Sequence, residues 1–305
     1  MLNLERLRVL AAVARHESVN GAAAFLHVSP SAISQQITKL EREVGQTLVD
    51  REGRGIRLTN AGLLLAERAA NVLDAVEALE GDLDEFRNRV AGPVRISAFA
   101  TAARGLGPSL LLHLKQHHPE LEASLWEQEP DVSLPLLASG DLDVVIAQDW
   151  FNAPLAVPTG IARMGLFDDT ADIALPSGHR LARRRSVSLD DLAHERWVTW
   201  PQGSICHEWL VHTYRSRGIE PTIAHMASEH ATQIALVGAG LGPAVIPRLG
   251  RGPVPNNVKM VRVDPALQRH VFAAWRPNTG RRSNVAAVRD ALSVLVLKRQ
   301  KGADQ

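Results

Sequence analysis

Residues 21–45, GAAAFLHVSPSAISQQITKLEREVG, hold two short helical patterns separated only by HVSP. Asn20 is predicted to cap the first helix. Ser29 is a good N-cap and Pro30 suits the first position of a helix, so the second helix is expected over residues 30–43, with Gly45 ending it. Two helices joined by so tight a corner are typical of a helix-turn-helix, in which the second helix must fit the DNA major groove.

The second helix separates apolar from polar residues. Ile33, Ile37 and Leu40 recur at i, i+4 and i+7, which predicts that they face inward. Gln35 and Gln36 then lie on exposed faces, where their amides could bond to base edges. Serine and threonine side chains around them could reach bases or phosphates, and Lys39 would contact phosphates.

Residues 48–59, LVDREGRGIRLT, predict a hairpin with Gly53 and Gly55 at its tip and three arginines on the tip and its flanks. Arginines there would contact phosphates and position the reading helix without reading sequence. Ser and Gln on a helix could instead simply face water, but the corner, the basic hairpin and the following long helix occur in order, which favours a winged helix-turn-helix. The predicted DNA-binding residues are Ser29, Ser31, Ser34, Gln35, Gln36, Thr38, Lys39, Arg51, Arg54 and Arg57.

From Thr59 the chain shows a long helical pattern that continues to about residue 88. At ~1.5 Å per residue this is a rod of roughly 40 Å, too long for an ordinary domain helix without a partner. We predict a dimerising linker helix.

Gly92 and Pro93 end that pattern, and strand-like and helix-like segments alternate beyond it. Such alternation predicts an α/β domain with helices covering a mainly parallel sheet.

The sequence disfavours several other classes of protein. One cysteine, Cys206, excludes an intramolecular disulfide and a cysteine-based zinc cluster, which indicates a reducing, cytoplasmic setting. No run approaches the ~18 apolar residues of a membrane span. In HEWLVH, His207 and His212 are five residues apart, whereas a helical zinc pair needs i and i+4. No nucleophile–base pair is readable, so we expect no enzyme, no cofactor and no metal.

Residues 25–65 resemble the amino-terminal module of the LysR-type transcriptional regulators, and the linker helix and the α/β remainder extend the resemblance across nearly the whole chain. Pro30 stands where the family often has Gln, a departure that bears on base preference. Val49 stands where Phe usually packs under the wing, a departure that bears only on core packing. The matching positions are Ala24, Leu26, Ser29, Ala32, Ser34, Ile37, Leu40, Glu41, Gly45, Leu48, Arg51, Leu58, Thr59 and Gly62.

The resemblance implies an α+β multidomain chain. Residues 1–58 would form the winged helix-turn-helix, 59–90 the linker helix, and 91–305 an α/β effector domain like the two-lobe type 2 periplasmic binding proteins. Lobe I is expected at about 93–162 and 268–297, and lobe II at about 163–267. It also implies a homodimer on double-stranded DNA, pairs of dimers forming tetramers, contact with RNA polymerase, and control by a small-molecule effector.

In such a domain, ligands bind outside the carboxyl ends of strands, where helix N-termini converge and favour an anion. Each candidate has a plain alternative: Thr101, Ser204 and Thr232 could be helix caps, Trp200 core, His230 structural, and Cys206 inert or redox-sensing. A ligand-independent architectural DNA-binding protein is the competing function, and a cleft closed or filled by its own side chains would favour it. The predicted effector contacts are Thr101, Gln128, Gln148, Trp200, Ser204, His230 and Thr232.

Overall fold

The computed structural model describes residues 2–26, 28–52, 55–86 and 90–303. The chain forms two compact units, residues 1–89 and 90–305, and each is described by itself.

The first unit opens with helices α1 (Leu4–His16), α2 (Val19–Leu26) and α3 (Pro30–Val44). As predicted, Ser29 caps α3, its Oγ accepting from the Ala32 N–H at 3.2 Å, and Gly45 ends it in the left-handed conformation. The prediction that Asn20 caps α2 was wrong, because the Ser18 hydroxyl already accepts from the Gly21 N–H at 2.9 Å and Asn20 lies inside the helix.

A two-stranded wing follows, with β1 (Val49–Glu52) antiparallel to β2 (Gly55–Leu58). The Glu41 carboxylate of α3 accepts from the N–H groups of Leu48 and Val49 at 2.8 and 3.3 Å, which fixes the wing to the reading helix. Val49 packs against the core of this unit, so the smaller side chain still serves there.

The long helix α4 (Asn60–Phe86) begins directly after the wing. Thr59 caps it, its Oγ1 accepting from the Gly62 N–H at 3.0 Å. A Cβ on Gly62 would lie 2.1 Å from the Leu48 carbonyl oxygen, so the close approach of α4 to the wing requires glycine.

The second unit alternates strands and helices. In chain order it contains β3 (Gly92–Ala98), α5 (Ala100–His117), β4 (Leu121–Glu127), α6 (Pro130–Ala138), β5 (Val144–Trp150), β6 (Ala162–Pro176), β7 (Ser186–Val187), a 3-10 turn (Asp190–Leu192), β8 (Arg196–Thr199), α7 (Ile205–Arg215), β9 (Thr222–Met226), α8 (His230–Gly238), β10 (Ala244–Pro247), β11 (Val258–Val263), β12 (Leu267–Trp275) and α9 (Ser283–Ala303).

Its main sheet has the order β4-β3-β5-β12-β6-β11-β7, with β10 also paired to β6. Strand β3 runs parallel to β4 and β5, but β12 runs antiparallel to both β5 and β6. The expected mainly parallel sheet is therefore a mixed sheet. The chain crosses the middle of the sheet along the long strand β6 and crosses back along the neighbouring strand β12. These two central strands therefore run in opposite directions.

Candidate DNA-binding surface and effector cleft

Helix α3 presents one apolar and one polar face. Ile33, Ile37 and Leu40 are buried in the core of the first unit. The opposite face exposes five of the predicted DNA contacts, namely Ser31, Ser34, Gln35, Thr38 and Lys39. A helix packed on one side and polar on the other can enter a groove without losing core contacts.

The hydroxyls on this face also bond within the helix. Ser34 Oγ donates to the Pro30 carbonyl at 3.1 Å, and Thr38 Oγ1 donates to the Ser34 carbonyl at 3.0 Å. The oxygens of Ser29 and Ser31 lie 2.9 Å apart. The hydroxyl protons of Ser34 and Thr38 are therefore engaged, while their oxygens can still accept from a base.

The two glutamines differ. Gln36 is half-buried, and its Oε1 accepts from Arg6 Nε at 3.4 Å, while Arg6 also pairs with Glu43. Gln35 is exposed. Of the two, Gln35 is the side chain that the fold presents to a partner.

The wing arginines are described to different extents. Arg57 is exposed on β2. The backbone of Arg51 lies in β1, but its side chain and all of Arg54 lie outside the described residues.

Arg269, a buried arginine of the second unit, lies at the centre of a cluster of hydrogen-bonded side chains. The sequence interpretation missed this residue. Its guanidinium bonds to Asp169 through Nε at 3.0 Å and Nη2 at 2.7 Å. The rings of Phe99 and Trp150 lie 5.1 and 6.0 Å from its central carbon. The available signal was the position of Arg269 in the strand LQRHVFAAW, where it alternates with Leu267 and Val271 on the apolar face, since a charge on that face must be paired.

Two predicted effector contacts bind Arg269. Its Nη2 donates to Thr101 Oγ1 at 2.8 Å, and its Nη1 donates to Gln148 Oε1. The Gln148 amide nitrogen in turn lies 3.6 Å from Cys206 Sγ. Thr101 and Gln148 thus lie around one guanidinium, and each already has a partner within the protein.

A separate cavity of about 610 Å³ opens nearby, and two predicted contacts, Gln128 and His230, line it. Oε1 of Gln128 and both ring nitrogens of His230 are buried without a hydrogen-bond partner. Buried polar atoms without partners are costly, so a bound molecule could satisfy them. The other lining residues are Ala100, Ala103, Arg104, Leu125, Glu127, Glu129, Ser228 and Glu229.

His230 is held neutral by its surroundings. It is 8% exposed and meets Trp200 edge-on, with ring centroids 5.5 Å apart. Burial lowers the pKa of its imidazole to about 3, and the positive charges of Arg269 and Arg104 add to this shift. One ring nitrogen therefore offers a donor and the other an acceptor at neutral pH.

The three remaining predicted contacts have partners within the protein. Ser204 caps α7, accepting from the His207 N–H at 3.3 Å and donating to the Pro201 carbonyl at 2.7 Å. Thr232 Oγ1 donates to Glu229 at 3.3 Å. Trp200 packs in the hydrophobic core beside α7. None of the three is among the residues that line the 610 Å³ cavity.

The thiol of Cys206 is buried next to the Gln148 amide, and burial raises its pKa to about 12. Among the described residues, no three His, Cys, Asp or Glu side chains group as a metal site. Over the same ranges, no helix has the length and apolar character to span a membrane.

Comparisons with known proteins agree with this geometry. Residues 4–63 match the model of the bacterial regulatory helix-turn-helix proteins of the lysR family, and residues 87–294 match the LysR substrate binding domain. The chain is 31% identical over 251 residues to the HTH-type transcriptional regulator TtuA of Agrobacterium vitis, covering 81% of each chain. It is 29% identical over 294 residues to the hydrogen peroxide-inducible genes activator of Escherichia coli O6:H1, covering 95% of each.

Among solved structures, a full-length OxyR variant from Pseudomonas aeruginosa matches with a TM-score of 0.72 and 22% identity, covering 96% of this chain and 95% of that one. A helix-turn-helix unit followed in the same chain by an α/β unit of a ligand-binding type is the domain organisation of a DNA-binding transcription regulator. The chain belongs to the LysR family of these regulators and carries its DNA-binding and effector-binding domains.

Proposed function

We propose that this regulator binds double-stranded DNA as a homodimer through α3 and the wing, and that a small molecule in the 610 Å³ cavity changes the DNA contacts. The main support for effector binding is His230, a buried imidazole with two unpartnered nitrogens at the wall of that cavity. For coupling, the effector must bind one arrangement of the dimer better than the other.

Helix α4 supports the dimer. Leu64, Val72, Leu79 and Leu83 are exposed large apolar side chains on this one helix. Spacings of eight, seven and four residues keep them near one face, as in a helix pairing with another helix. Tetramers and contact with RNA polymerase follow from the family resemblance, as does a cytoplasmic regulatory role without catalysis.

The architectural alternative has one observation in its favour. Arg269, Thr101 and Gln148 fill part of the predicted ligand region with the protein's own side chains. The adjoining cavity, however, leaves Gln128 and His230 unsatisfied, and a purely structural scaffold gains nothing from such groups. We therefore favour the effector-responsive function.

A response to peroxide through Cys206 is not part of the proposal. Peroxide reacts with a thiolate, and a thiol with a pKa of about 12 stays protonated at neutral pH. The single cysteine also lacks a resolving partner for a disulfide within the chain.

The proposal is tested by gel shift with the DNA upstream of the gene, against unrelated duplex, at low and near-physiological salt. Binding that survives salt only on the upstream DNA is expected, because phosphate contacts weaken with salt equally on both duplexes. The same assay is repeated with a small-molecule extract of the source cells, which should change the affinity or the footprint. Equal, salt-sensitive binding to both duplexes, with no response to the extract, favours the architectural alternative.

A further inference from the structure

We infer that the effector is a cation, a small molecule carrying an amine or guanidine group, in place of the anion that helix N-termini alone suggest. The inference rests on the proposed function, since it takes the 610 Å³ cavity as the effector site. It is carried by the charges and the unsatisfied atoms of the cavity wall.

The charge of the wall is negative. Its lining side chains include the carboxylates of Glu127, Glu129 and Glu229 and one guanidinium, that of Arg104. Arg269 and Arg251, whose positive charges also act on His230, lie outside the lining and are paired with Asp169 and Asp172. His230 adds no positive charge at neutral pH, because burial lowers the pKa of its imidazole and keeps the ring neutral. An anionic ligand placed beside these three carboxylates would meet electrostatic repulsion.

Glu129 places a carboxylate at the N-terminus of α5, one of the helix starts at which an anionic ligand was expected. Its carboxylate accepts a hydrogen bond from the backbone N–H of Ala100, the first residue of α5. Glu129 remains partly exposed, yet desolvation raises the pKa of its carboxyl and the neighbouring Asp131 and Glu127 raise it further, against the lowering effect of Ala100 N–H and Arg269. A carboxylate whose charge is poorly compensated is stabilised by a bound cation.

The unsatisfied atoms point the same way. Gln128 Oε1 is a buried acceptor with no donor, and a neutral His230 ring contributes a second acceptor together with one N–H donor, so the unsatisfied acceptors outnumber the donors. An ammonium group offers three donors and a guanidinium five, with no acceptor to clash with these oxygens and nitrogens. An effector carboxylate would supply acceptors to a wall that already has a surplus of them.

The test uses the purified full-length chain and three five-carbon probes that differ only in their end groups. The probes are 1,5-diaminopentane, glutarate and 1,5-pentanediol, and agmatine is added as a guanidine probe. Calorimetric titration should detect binding of the diamine or agmatine and at least tenfold weaker binding of glutarate. Glu129→Gln should weaken cation binding about tenfold, because it removes a charge that faces the ligand. Glu220→Gln is the control, because that exposed carboxylate pairs with Arg215 and lies outside the cavity wall.

Tighter binding of glutarate than of either cation, binding of no cation, or equal losses in both glutamate variants would overturn the inference. Glutarate binding that changes DNA affinity would overturn it while leaving the proposed function standing. A cation that binds through Glu129 without changing DNA affinity would support the charge inference and count against the proposed function.

Discussion

Arg269 and Asp169 lie directly opposite each other on the antiparallel strands β12 and β6, with Nη2 of the arginine 2.7 Å from Oδ2 of the aspartate. Both side chains are 2% exposed. Asp169 also accepts from the backbone N–H of Leu249 at 3.0 Å. The pair therefore joins the two central strands to the segment that follows β10, and neither charge can be rehydrated if its partner is lost.

Replacing Arg269 by Ala should destabilise the second unit by ~3–5 kcal/mol, because it leaves the Asp169 carboxylate buried and unpaired. The midpoint of urea unfolding, followed by tryptophan fluorescence, measures the loss. Arg215→Ala is the matched control, since Arg215 pairs with Glu220 at the exposed surface and its removal should leave the midpoint unchanged. Similar midpoints for the two variants would contradict a structural role for the buried pair.

Gly250 should not tolerate a side chain. Its φ is +63°, and a Cβ there would lie 2.2 Å from the carbonyl oxygen of Thr101 in α5. Gly250→Ala should cost ~1–3 kcal/mol from the left-handed backbone alone, with a further cost as α5 shifts. Gly252→Ala is the control, because apart from its two chain neighbours no residue lies within 4 Å of the position that its Cβ would take. Equal thermal midpoints for the two variants would show that α5 and this turn do not pack as described.

The sequence predicted the DNA-binding unit better than the effector site, for a physical reason. The reading helix depends on local rules, in which Ser29 and Gly45 mark its ends and the spacing of Ile33, Ile37 and Leu40 marks its inner face. Asn20 failed because Ser18, two residues earlier, competes for the same capping role.

The effector region depends on contacts between residues far apart in the chain. Arg269 meets Thr101 across 168 residues and Asp169 across 100, and no local pattern encodes those pairs. Helix-start reasoning identified Thr101, Ser204 and Thr232, but it could not tell a cap or an internal partner from a ligand contact. Only Gln128 and His230 among the predicted set line the cavity.

The two glutamines of α3 should differ in their effect on DNA binding. Gln35→Ala should weaken specific binding by a factor corresponding to ~1–3 kcal/mol while leaving non-specific binding unchanged, because it removes an exposed base reader. Gln36→Ala should have a smaller specific effect, since its Oε1 already accepts from Arg6. Gel shifts on specific and unrelated duplexes compare the two. A larger specific loss for Gln36 would show that it leaves Arg6 to read a base.

His230 should make the second unit less stable in acid. The unfolded chain takes up a proton near pH 6.5, whereas the native imidazole, with its pKa lowered by burial, does so only near pH 3. Between these values the unfolded state binds more protons, so stability falls as pH drops, by up to ~1.4 kcal/mol per pH unit. His230→Gln should lose less stability between pH 6.5 and 4 in urea titrations. Parallel pH curves for the variant and the natural chain would show that His230 titrates normally.

Cys206 should be unreactive in the native chain. A pKa of about 12 leaves only ~1 thiolate in 10⁵ at neutral pH, and the surrounding core blocks access to the sulfur. N-ethylmaleimide should therefore label the protein slowly in buffer and rapidly in urea, as followed by intact mass. Cys206→Ser should bind DNA like the natural chain, and millimolar peroxide should change neither protein's gel shift. Rapid labelling of the native chain, or a peroxide effect abolished by Cys206→Ser, would mean that reagents reach the thiol and that it ionises in solution. Cys206 would then be a redox-responsive residue, and the inert role that its burial indicates would be wrong.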